Sequence, residues 1–346
     1  MEIVIKYFYP IIDYMKVCLY LELEGKLSIT GIGTAIRNQR KALKLNNIEY
    51  TNNLDDEFDI LHLNIVGLKS LSLARRMKKK GKKVVIHAHT TADDFRDSFR
   101  FSNLIAPYFQ RYLTFYYNQA DLVLCPSEYT KNVLERYGVK RPIRVISNGV
   151  DTNKFKFSKE KRVKFRKEYD LKDTDMVPLC VGHLFIRKGI KTFMNLARRY
   201  NEKFIWVGRR YKKLEEREIS NLIRNKPDNV ILVNYIEDIV SAYCGADIFL
   251  FPSNCENQGI VLLEAAACKM PILCRDLLAY KGWLIDEVNC LKAKNFYEFE
   301  EKLERLMMDK ELRNKLAKNA HTMAKEHSLK NVGAKLKMIY DEVMEK

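Results

Sequence analysis

Residues 247–276, DIFLFPSNCENQGIVLLEAAACKMPILCRD, decide the fold of this chain. The run IFLF is apolar and stops at Pro252, which predicts a buried strand and its exit turn. A polar loop ending in Gly259 follows, and IVLLEAAACKM has helical spacing and good helix formers. PILC then begins a second buried strand. The segment therefore predicts strand, loop, helix and strand, which is a unit of an open α/β sheet.

The loop of this segment combines anion-binding and hydroxyl-binding groups. A loop from the carboxyl end of a strand into a helix N-terminus is where open α/β sheets hold anions. The backbone amides that are candidates to face phosphate are those of Asn257, Gln258, Gly259 and Ile260. Glu256 lies in the same loop, and Glu264 follows eight residues later, about two helical turns on. Such a site suits a ligand that has both phosphates and sugar hydroxyls.

The glutamate pair, with a strand ending in Pro-Ser before it and a helix and strand after it, resembles a known donor-site signature. The signature belongs to retaining nucleotide-sugar glycosyltransferases of the glycogen-synthase and phosphatidylinositol-mannosyltransferase type, the family 4 type. The resemblance implies the GT-B fold, an α/β fold in which two Rossmann-like α/β/α domains face a central cleft. The alternative is a strand–helix unit that carries two glutamates by chance. Gly259 and the motifs described below favour the first interpretation.

Length and composition fit a two-domain globular protein. At 346 residues the chain exceeds one typical core. No apolar run approaches the roughly 20 residues that would span a bilayer. The N-terminus lacks the charged start, apolar core and cleavage site of a signal peptide. The eight cysteines form no CxxC pair, so we interpret them as free thiols in a reducing cytosol.

The net charge of +17 predicts an acidic partner or a generally basic, solvated surface. Nucleic acid, anionic lipid headgroups and a nucleotide diphosphate would all fit. Residues 1–150 hold 23 Lys and Arg against 15 Asp and Glu, and the remainder holds 38 against 29. The excess is therefore spread over both halves, which argues against a separate nucleic-acid-binding arm.

The glycine loop near the N-terminus marks the start of the fold. MKVCLYLELEG, from Met15, leads directly into SITGIGTAIRNQRKAL, so we take Met15 as the beginning of the first strand and residues 1–14 as an extension. Residues 28–45 are predicted to form a loop and a helix, with Gly31 and Gly33 at the turn. Glycines allow close backbone approach to a ligand. In the resembling family this loop lies over the donor diphosphate, which implies donor binding; a plain tight turn is the alternative.

Two histidines end the next predicted core strand, VVIHAHTTADD. Alternation places His87 and His89 on one face of the sheet, at the carboxyl end that is the functional edge of a Rossmann sheet. His89 matches a histidine that lines the sugar pocket in the resembling transferases. The resemblance therefore implies that His89 hydrogen-bonds the donor sugar or its leaving phosphate. A histidine satisfied within the core is the alternative.

Two stretches of the first half are candidates for membrane contact. LKSLSLARRMKKKGKK, residues 68–83, predicts a basic amphipathic helix that would suit an anionic membrane. Its cations would equally complement the helix macrodipole in solution. Residues 95–118 interleave aromatic side chains with arginines, which suits a membrane interface or an apolar acceptor. A helix packed on the sheet is the alternative there.

The loop GHLFIRKG, residues 182–189, has the composition of a diphosphate clamp. Arg187 and Lys188 stand against Gly189 just before a helix N-terminus, so two cations and the helix dipole converge. The resembling family has a matching basic pair, and Gly182 is then expected to bind the donor. The family's frequent arginine after the first glycine is His183 here, which is a departure from the pattern.

Further motifs extend the resemblance over nearly the whole chain from Met15. SNGVD, residues 147–151, resembles the crossing between the two GT-B domains, and RDxxxYKGWLxDxVNCLKA resembles bacterial diacylglycerol glucosyltransferases. Residues 158–175 are predicted to form a charged helix. Tyr235 and Ile236 are candidates to frame the nucleotide base. The expected domains are residues 1–150 for the acceptor and 151–330 for the nucleotide sugar. Residues 331–346 are expected to form a helix that crosses back to the first domain.

The resemblance implies transfer of a hexose with retention at the anomeric carbon. The implied catalytic residues are His89, Arg187, Lys188 and Glu256, of which the two cations and the amides after Glu256 would stabilise the leaving diphosphate. Glu256 would hold hydroxyls of the sugar, and Glu264 would accept from the ribose hydroxyls. No metal or other cofactor is expected, because the nucleotide-diphosphate sugar is a co-substrate and no DxD-like motif stands in a suitable loop.

Three functions are candidates for this chain. The first is a cytoplasmic, peripheral enzyme on the inner face of the cell membrane, which transfers the sugar to a lipid or membrane-linked acceptor. The second is a soluble transferase of the same fold that acts on a glycan or small molecule. The third is a non-catalytic, basic nucleic-acid-binding protein. The sequence has no recognised nucleic-acid-binding motif, and this third function would leave Glu256 and Glu264 unexplained. No nucleic-acid partner is therefore expected.

Overall fold

The computed structural model describes residues 15–28, 30–213 and 215–345. In this part of the chain, two six-stranded parallel sheets are covered by helices on both faces. The predicted extension, residues 1–14, lies outside the described residues. Below, "first half" denotes the first sheet with its helices, and "second half" denotes the second sheet with the helices that follow it.

The first half places its strands in the order β2-β1-β3-β4-β5-β6. The strands are β1 (Lys16–Tyr20), β2 (Glu49–Thr51), β3 (Ile60–Leu63), β4 (Lys83–His87), β5 (Leu122–Cys125) and β6 (Ile143–Val145). The helices are α1 (Glu24–Leu27), α2 (Gly31–Leu45), α3 (Leu68–Lys79), α4 (Ala92–Phe95), α5 (Ser102–Tyr117) and α6 (Glu128–Tyr137). Apolar runs such as VVI and LVL form its strands because a parallel sheet is buried on both faces.

The second half places its strands in the order β12-β11-β10-β7-β8-β9. The strands are β7 (Pro178–Val181), β8 (Phe204–Val207), β9 (Val230–Val233), β10 (Ile248–Phe251), β11 (Ile272–Arg275) and β12 (Leu291–Ala293). The helices are α7 (Lys159–Glu168), α8 (Ile190–Ala197), α9 (Arg217–Arg224), α10 (Ile239–Gly245), α11 (Ile260–Ala267), α12 (Phe296–Met308) and α13 (Lys310–Glu326). The prediction of strand, loop, helix and strand over residues 247–276 is confirmed by β10, α11 and β11.

The last helix, α14 (Leu329–Glu345), returns from the second half to the first. Leu336 and Val343 are buried in the same core as Val17 on β1. The hydroxyl of Tyr340 lies 2.7 Å from Nδ1 of His62 on β3. The final helix therefore packs on the first half, and it begins two residues before residue 331.

The crossing from the first half to the second runs beside the start of α14. Val150, in the SNGVD segment, donates its N–H to the carbonyl of His327 at 3.0 Å and accepts from the N–H of Leu329 at 3.2 Å. The two crossings are thus hydrogen-bonded to each other. The domain boundaries after residues 150 and 330 stay a prediction.

Two local predictions were wrong. The helix predicted over residues 158–175 ends at Glu168, because the chain turns at Asp170 through a left-handed conformation with φ of 48°. Gly31 and Gly33 lie in the first turn of α2 and not in the preceding loop. Gly33 is required there because a Cβ at this position would overlap the carbonyl oxygen of Leu27. All eight cysteines are free thiols, as the absence of a CxxC pair had suggested.

Candidate active site

The candidate site lies where the strand order of the second sheet reverses. β7 and β10 are hydrogen-bonded neighbours, but the chain continues from β7 to β8 on one side and from β10 to β11 on the other. The loops that follow these two strands, residues 182–189 and 252–259, therefore border one crevice at the carboxyl ends of the strands. Ligands of open α/β sheets bind at such a point. Apart from Tyr235 and Ile236, which follow β9, every site residue predicted in the second half lies on these loops or on α11.

A buried ion pair joins the two loops. Nζ of Lys188 donates a hydrogen bond to Oε1 of Glu256, and the hydroxyl of Ser253 donates to the same oxygen at 2.7 Å. Nη1 of Arg187 lies 4.0 Å from it. Burial acts to raise the pKa of Glu256, but the charges of Lys188 and Arg187 hold that pKa below its usual value. Burial lowers the pKa of Lys188, and the carboxylate opposes that shift. The pair and Arg187 together place one negative and two positive charges at the crevice.

Backbone contacts fix the relative positions of the two loops. Asn254 donates its N–H to the carbonyl of Arg187 at 2.6 Å. Gly189 has φ of 79°, and a Cβ there would overlap the carbonyl oxygen of Pro252. A residue with a side chain at this position would therefore be both strained and in collision with the opposite loop. The glycine of the sequence RKG is therefore required for the close approach of the two loops, and Arg187 and Lys188 supply the positive charges.

Gly182 and His183 line the same side of the crevice. The stem of Lys188 crosses close to Gly182, whose carbonyl accepts from the indole N–H of Trp206 at 2.7 Å. Burial and the charges of Lys188 and Arg187 lower the pKa of His183 to about 4. Nδ1 of His183 is buried and has no hydrogen-bond partner among the described residues. His183 is thus a neutral polar group at the position where the resembling family often has a charged arginine.

The amides predicted to face phosphate are available for a ligand. Within the described residues, the backbone N–H groups of Asn257, Gln258 and Gly259 donate no hydrogen bond. Gly259 has φ of 79° and directly precedes α11, whose first residue is Ile260. A helix N-terminus with free N–H groups is an anion-binding position.

The side chains of Asn257 and Gln258 reach across to the first half, which the sequence did not predict. Nδ2 of Asn257 donates to the carbonyl of His89 at 2.9 Å. Oε1 of Gln258 accepts from the N–H and from the side-chain amide of Asn148, both at 2.9 Å, and its Nε2 donates to Ser147 at 2.8 Å. The sequence signal for these contacts was the pair of amide side chains at Asn257 and Gln258. They stand just before α11, a helix that has no side-chain cap of its own. Two consecutive residues thus connect the glutamate loop to the first half of the chain.

Glu264 is buried on α11. Its Oε2 accepts a hydrogen bond from the hydroxyl of Tyr243 at 2.8 Å. Burial raises the pKa of Glu264, and the hydrogen bond from Tyr243 and the charges of Lys154 and Arg37 oppose that shift. No described residue donates to Oε1, so this oxygen is available to hydroxyl groups of a ligand.

His89 lies at the end of a row of stacked histidine rings. The ring centroids of His87 and His89 are 4.0 Å apart, and those of His62 and His87 are 5.7 Å apart. The prediction that His87 and His89 share one face is therefore confirmed. Nε2 of His89 lies 3.1 Å from Oδ1 of Asn64. Burial lowers the pKa of His89 to about 3, so the ring is neutral at physiological pH.

The structure joins His89 to the second half by a hydrogen bond but does not do so for the two glycines of α2. Asn257 connects the backbone of His89 to the loop that carries Glu256. Within the described residues, no hydrogen bond joins Gly31 or Gly33 to the two loops. Their helix still approaches the site, because the charge of Arg37, one turn later, acts on Glu264.

A cavity of about 820 Å³ opens beside this crevice, at the carboxyl ends of β8 and β9. Its lining includes Leu184, Arg209, Tyr211 and Asn234. Tyr235, a predicted frame for the nucleotide base, is 60% exposed and does not line the cavity. The residue before it does, so the loop after β9 still borders this space.

The described residues contain neither a cluster of metal ligands nor a membrane-spanning helix. No group of three or more His, Cys, Asp or Glu side chains there has the arrangement of a metal site. In the same residues, no helix combines the length and apolarity needed to cross a bilayer.

Comparisons with known proteins place this site in a family. Residues 161–323 match the family model of glycosyl transferases group 1, and residues 31–154 match that of glycosyltransferase family 4. The chain is 37% identical over 336 residues to the processive diacylglycerol alpha-glucosyltransferase of Acholeplasma laidlawii, covering 95% of this chain and 99% of the relative. It is 26% identical over 294 residues to the alpha-galactosylglucosyldiacylglycerol synthase of Streptococcus pneumoniae, covering 80% and 76%.

Solved structures show the same architecture. The Anabaena HepE protein in complex with UDP and glucose superposes with a TM-score of 0.78 at 16% identity, covering 95% of this chain and 100% of that one. Sucrose-phosphate synthase from Thermosynechococcus elongatus superposes with a TM-score of 0.80 at 15% identity, covering 95% and 99%. At these identities the likeness concerns the fold. Taken with the sequence matches, it shows that this chain belongs to the family 4 type of glycosyltransferases and has their GT-B fold.

Proposed function

We propose that this glycosyltransferase is a retaining enzyme that moves a hexose from a nucleotide-diphosphate sugar to a lipid or membrane-linked acceptor. The observation that carries the proposal is the convergence of Arg187, Lys188, Glu256 and unpartnered backbone amides on one crevice, with Glu264 buried on the helix that follows. Two relatives are named for diacylglycerol glycolipids, and the Anabaena neighbour was solved with UDP and glucose. These names support the choice of donor and acceptor classes.

In this proposal the diphosphate lies against Lys188 and the amides of residues 257–259. Cleavage of the donor leaves negative charge on the departing phosphate, and fixed cations and N–H groups stabilise that charge in the transition state. The site would need no metal ion for this step, because Lys188, Arg187 and the helix N-terminus already oppose the charge. The acceptor hydroxyl would attack from the same face that the leaving phosphate vacates and would pass its proton to that phosphate, so the new glycosidic bond keeps the configuration of the bond that breaks.

The two glutamates and His89 would orient the sugar and the ribose. Glu256 has Oε1 occupied by Lys188 and Ser253, while no described residue donates to Oε2. That second oxygen would accept from a sugar hydroxyl. Glu264 would accept from the ribose hydroxyls through Oε1. His89, neutral and adjacent across the cleft, would hydrogen-bond the sugar or the leaving phosphate.

The acceptor side has an exposed apolar face on α5 and the turn before it. Leu104 is 73% exposed and Tyr108 is 70% exposed, and Phe101, Ile105 and Phe115 are also exposed. The guanidinium of Arg100 lies 4.8 Å from the ring centroid of Phe101. Aromatic side chains beside arginines suit the interface of an anionic bilayer. The other face of α5, which includes Leu113, Tyr116 and Tyr117, packs in the core, as the alternative interpretation of residues 95–118 predicted. The exposed face is the one that we propose for membrane contact. We propose a peripheral location on the inner face of the cell membrane.

A screen of nucleotide sugars tests the donor part of the proposal. Purified protein is incubated with UDP- and GDP-linked hexoses without an acceptor, and the released nucleoside diphosphate is measured. We expect slow hydrolysis of one donor, loss of that hydrolysis in Lys188→Ala, and no change in Lys191→Ala, whose side chain is 68% exposed. Release from none of the donors, even after diacylglycerol vesicles are added, would contradict the proposed donor.

Vesicle experiments test the acceptor part. With the hydrolysed donor identified, we expect transfer to diacylglycerol in anionic vesicles and sedimentation of the protein with them that weakens as salt is raised. Equal activity on a water-soluble glycan, with no vesicle binding at any salt concentration, would instead favour the soluble transferase.

A further inference from the structure

Asp94 on α4 has two connections that a helix cap does not explain. One carboxylate oxygen belongs to a capping box, in which Oδ1 accepts from the N–H of Thr91 at 2.8 Å and the hydroxyl of Thr91 accepts from the N–H of Asp94 at 3.2 Å. That arrangement closes a helix of only four residues and requires Oδ1 alone. The other oxygen and the backbone carbonyl of Asp94 point to a different use.

The second oxygen of Asp94 is bonded to the glutamate loop of the second half. Oδ2 accepts from Nδ2 of Asn257 at 3.0 Å, and the same nitrogen donates to the carbonyl of His89 at 2.9 Å. Asn257 is 7% exposed, so both hydrogen bonds are shielded from water. One carboxylate thereby holds the residue that directly follows Glu256.

The backbone of Asp94 is connected to the cationic pair. Its carbonyl accepts from the hydroxyl of Ser98 at 3.0 Å, and Oγ of Ser98 accepts from Nε of Arg187 at 2.7 Å. The N–H of Arg187 donates to the carbonyl of Asp97 at 3.3 Å. The segment of residues 94–98, from the first half, therefore contacts Arg187 both at its guanidinium, through Ser98, and at its backbone, through Asp97.

The carboxylate of Asp94 also lies in the electric field of the site. Burial raises the pKa of Asp94 to about 6, the charge of Glu256 acts in the same direction, and Arg187, Lys188 and the hydrogen bond from Thr91 act against it. The other ionisable neighbours that interact with Asp94 are Tyr117, Tyr129, Tyr137 and Cys255. The pKa of Asp94 thus depends on the charges of both Lys188 and Glu256, although its carboxylate contacts neither residue.

We propose that Asp94 is a positioning residue for sugar transfer, which holds Asn257 and, through Ser98, Arg187, so that the diphosphate-binding groups are assembled across the cleft. This inference rests on the proposed function, because it assumes that these groups bind the donor diphosphate. It assigns the first half a part in donor binding. The diphosphate site of the second half would be complete only when the segment 94–98 is in contact with it.

Matched variants separate this role from the helix cap. Asp94→Asn keeps an acceptor for Thr91 but removes one of the two acceptor oxygens. Ser98→Ala breaks the connection to Arg187 and leaves the cap intact. Asp93→Asn is the control, because the side chain of Asp93 makes no hydrogen bond or ion pair within residues 30–213 or 215–345. The melting temperature of each variant reports whether it folds.

Binding of inorganic pyrophosphate, measured by calorimetry, and hydrogen–deuterium exchange give readouts that do not need turnover. We expect Asp94→Asn and Ser98→Ala to weaken pyrophosphate binding about tenfold and to speed exchange in residues 182–189 and 252–259, while Asp93→Asn behaves like the wild type. Wild-type binding and exchange in both variants would overturn the role of Asp94 and leave the proposed function standing. The variants could instead show the expected changes in pyrophosphate binding and exchange while the wild type hydrolyses no sugar nucleotide. That result would overturn the proposed function and leave the role of Asp94 in holding the loops standing.

Kinetics on the hydrolysed donor complete the test. We expect the donor KM to rise about tenfold in Asp94→Asn, with a smaller change in kcat. Because the pKa of Asp94 is raised from 3.8 to about 6, the wild type loses this negative charge as the pH falls below about 6. The fall of kcat/KM in that range should be absent from Asp94→Asn. An unchanged KM together with an unchanged pH profile would contradict the positioning role.

Discussion

The two halves of the molecule contribute different kinds of polar group to the cleft. The second half supplies charges, in the buried pair of Lys188 and Glu256 and the neighbouring Arg187. The first half supplies, beside the carboxylate of Asp94, mainly buried histidines that are neutral, because burial lowers the pKa of His62 and His89 to about 3. The difference suggests that one half balances the charge of the leaving group and the other half orients uncharged hydroxyls.

Removal of Lys188 should have the largest effect. Lys188→Ala deletes a cation at the predicted diphosphate and leaves Glu256 buried without its partner. We expect kcat to fall by about 10²–10³-fold and the free energy of unfolding to fall by roughly 3–5 kcal/mol. Donor hydrolysis and denaturant unfolding are the measurements, with Lys191→Ala as the matched exposed control. Wild-type donor kinetics in Lys188→Ala would end the assignment of charge balance to this half.

Removal of the second carboxylate should affect donor binding more than turnover. Glu264→Ala deletes the predicted acceptor of the ribose hydroxyls, and we expect the donor KM to rise about 10- to 100-fold. Tyr243→Phe is the sharper comparison, because it removes the hydrogen bond at Oε2 and leaves Oε1 in place. Initial-rate kinetics at varied donor concentration distinguish them. An equal rise of KM in both variants would indicate that Tyr243, and not a ligand, determines the role of Glu264.

The neutral histidines make a prediction about stability and pH. A histidine whose pKa is lowered on folding binds its proton more readily in the unfolded state, so the stability that it permits is lost as the pH falls below its ordinary pKa of 6.5. Each such group should lower the free energy of unfolding by about 1.4 kcal/mol per pH unit in that range. Denaturant unfolding between pH 5 and 7 measures this slope. His62→Gln should make the slope shallower, and an unchanged slope would show that the first-half histidines are not neutral in the folded protein.

The apolar face of α5 should have the smallest effect on chemistry in solution. The double variant Leu104→Ser with Tyr108→Ser is expected to reduce sedimentation with anionic vesicles several-fold while leaving donor hydrolysis near the wild-type rate. Tyr297→Ser, at a residue that is 76% exposed on α12 of the second half, is the control. If the control lowers vesicle binding as much as the double variant does, the membrane-facing surface is not on the first half.

The site residues of the second half were predictable from the sequence. Those of the first half were predictable only in part. Arg187, Lys188 and Glu256 stand at loops that follow buried strands, and parallel topology brings such loops to one edge. The roles of Asn257 and Asp94 depend on hydrogen bonds between residues more than 160 positions apart, which no local spacing encodes. Glycine is needed at position 33 because the carbonyl oxygen of Leu27 lies too close for a Cβ, and the glycine pattern alone could not show this contact.

A crystal structure with the nucleoside diphosphate of the hydrolysed donor tests the central claim most directly. The account predicts phosphate oxygens within hydrogen-bonding distance of Nζ of Lys188 and of the amides of residues 257–259, with the ribose hydroxyls on Glu264. A diphosphate bound instead among the exposed cations of the neighbouring cavity, around Arg209, would contradict it.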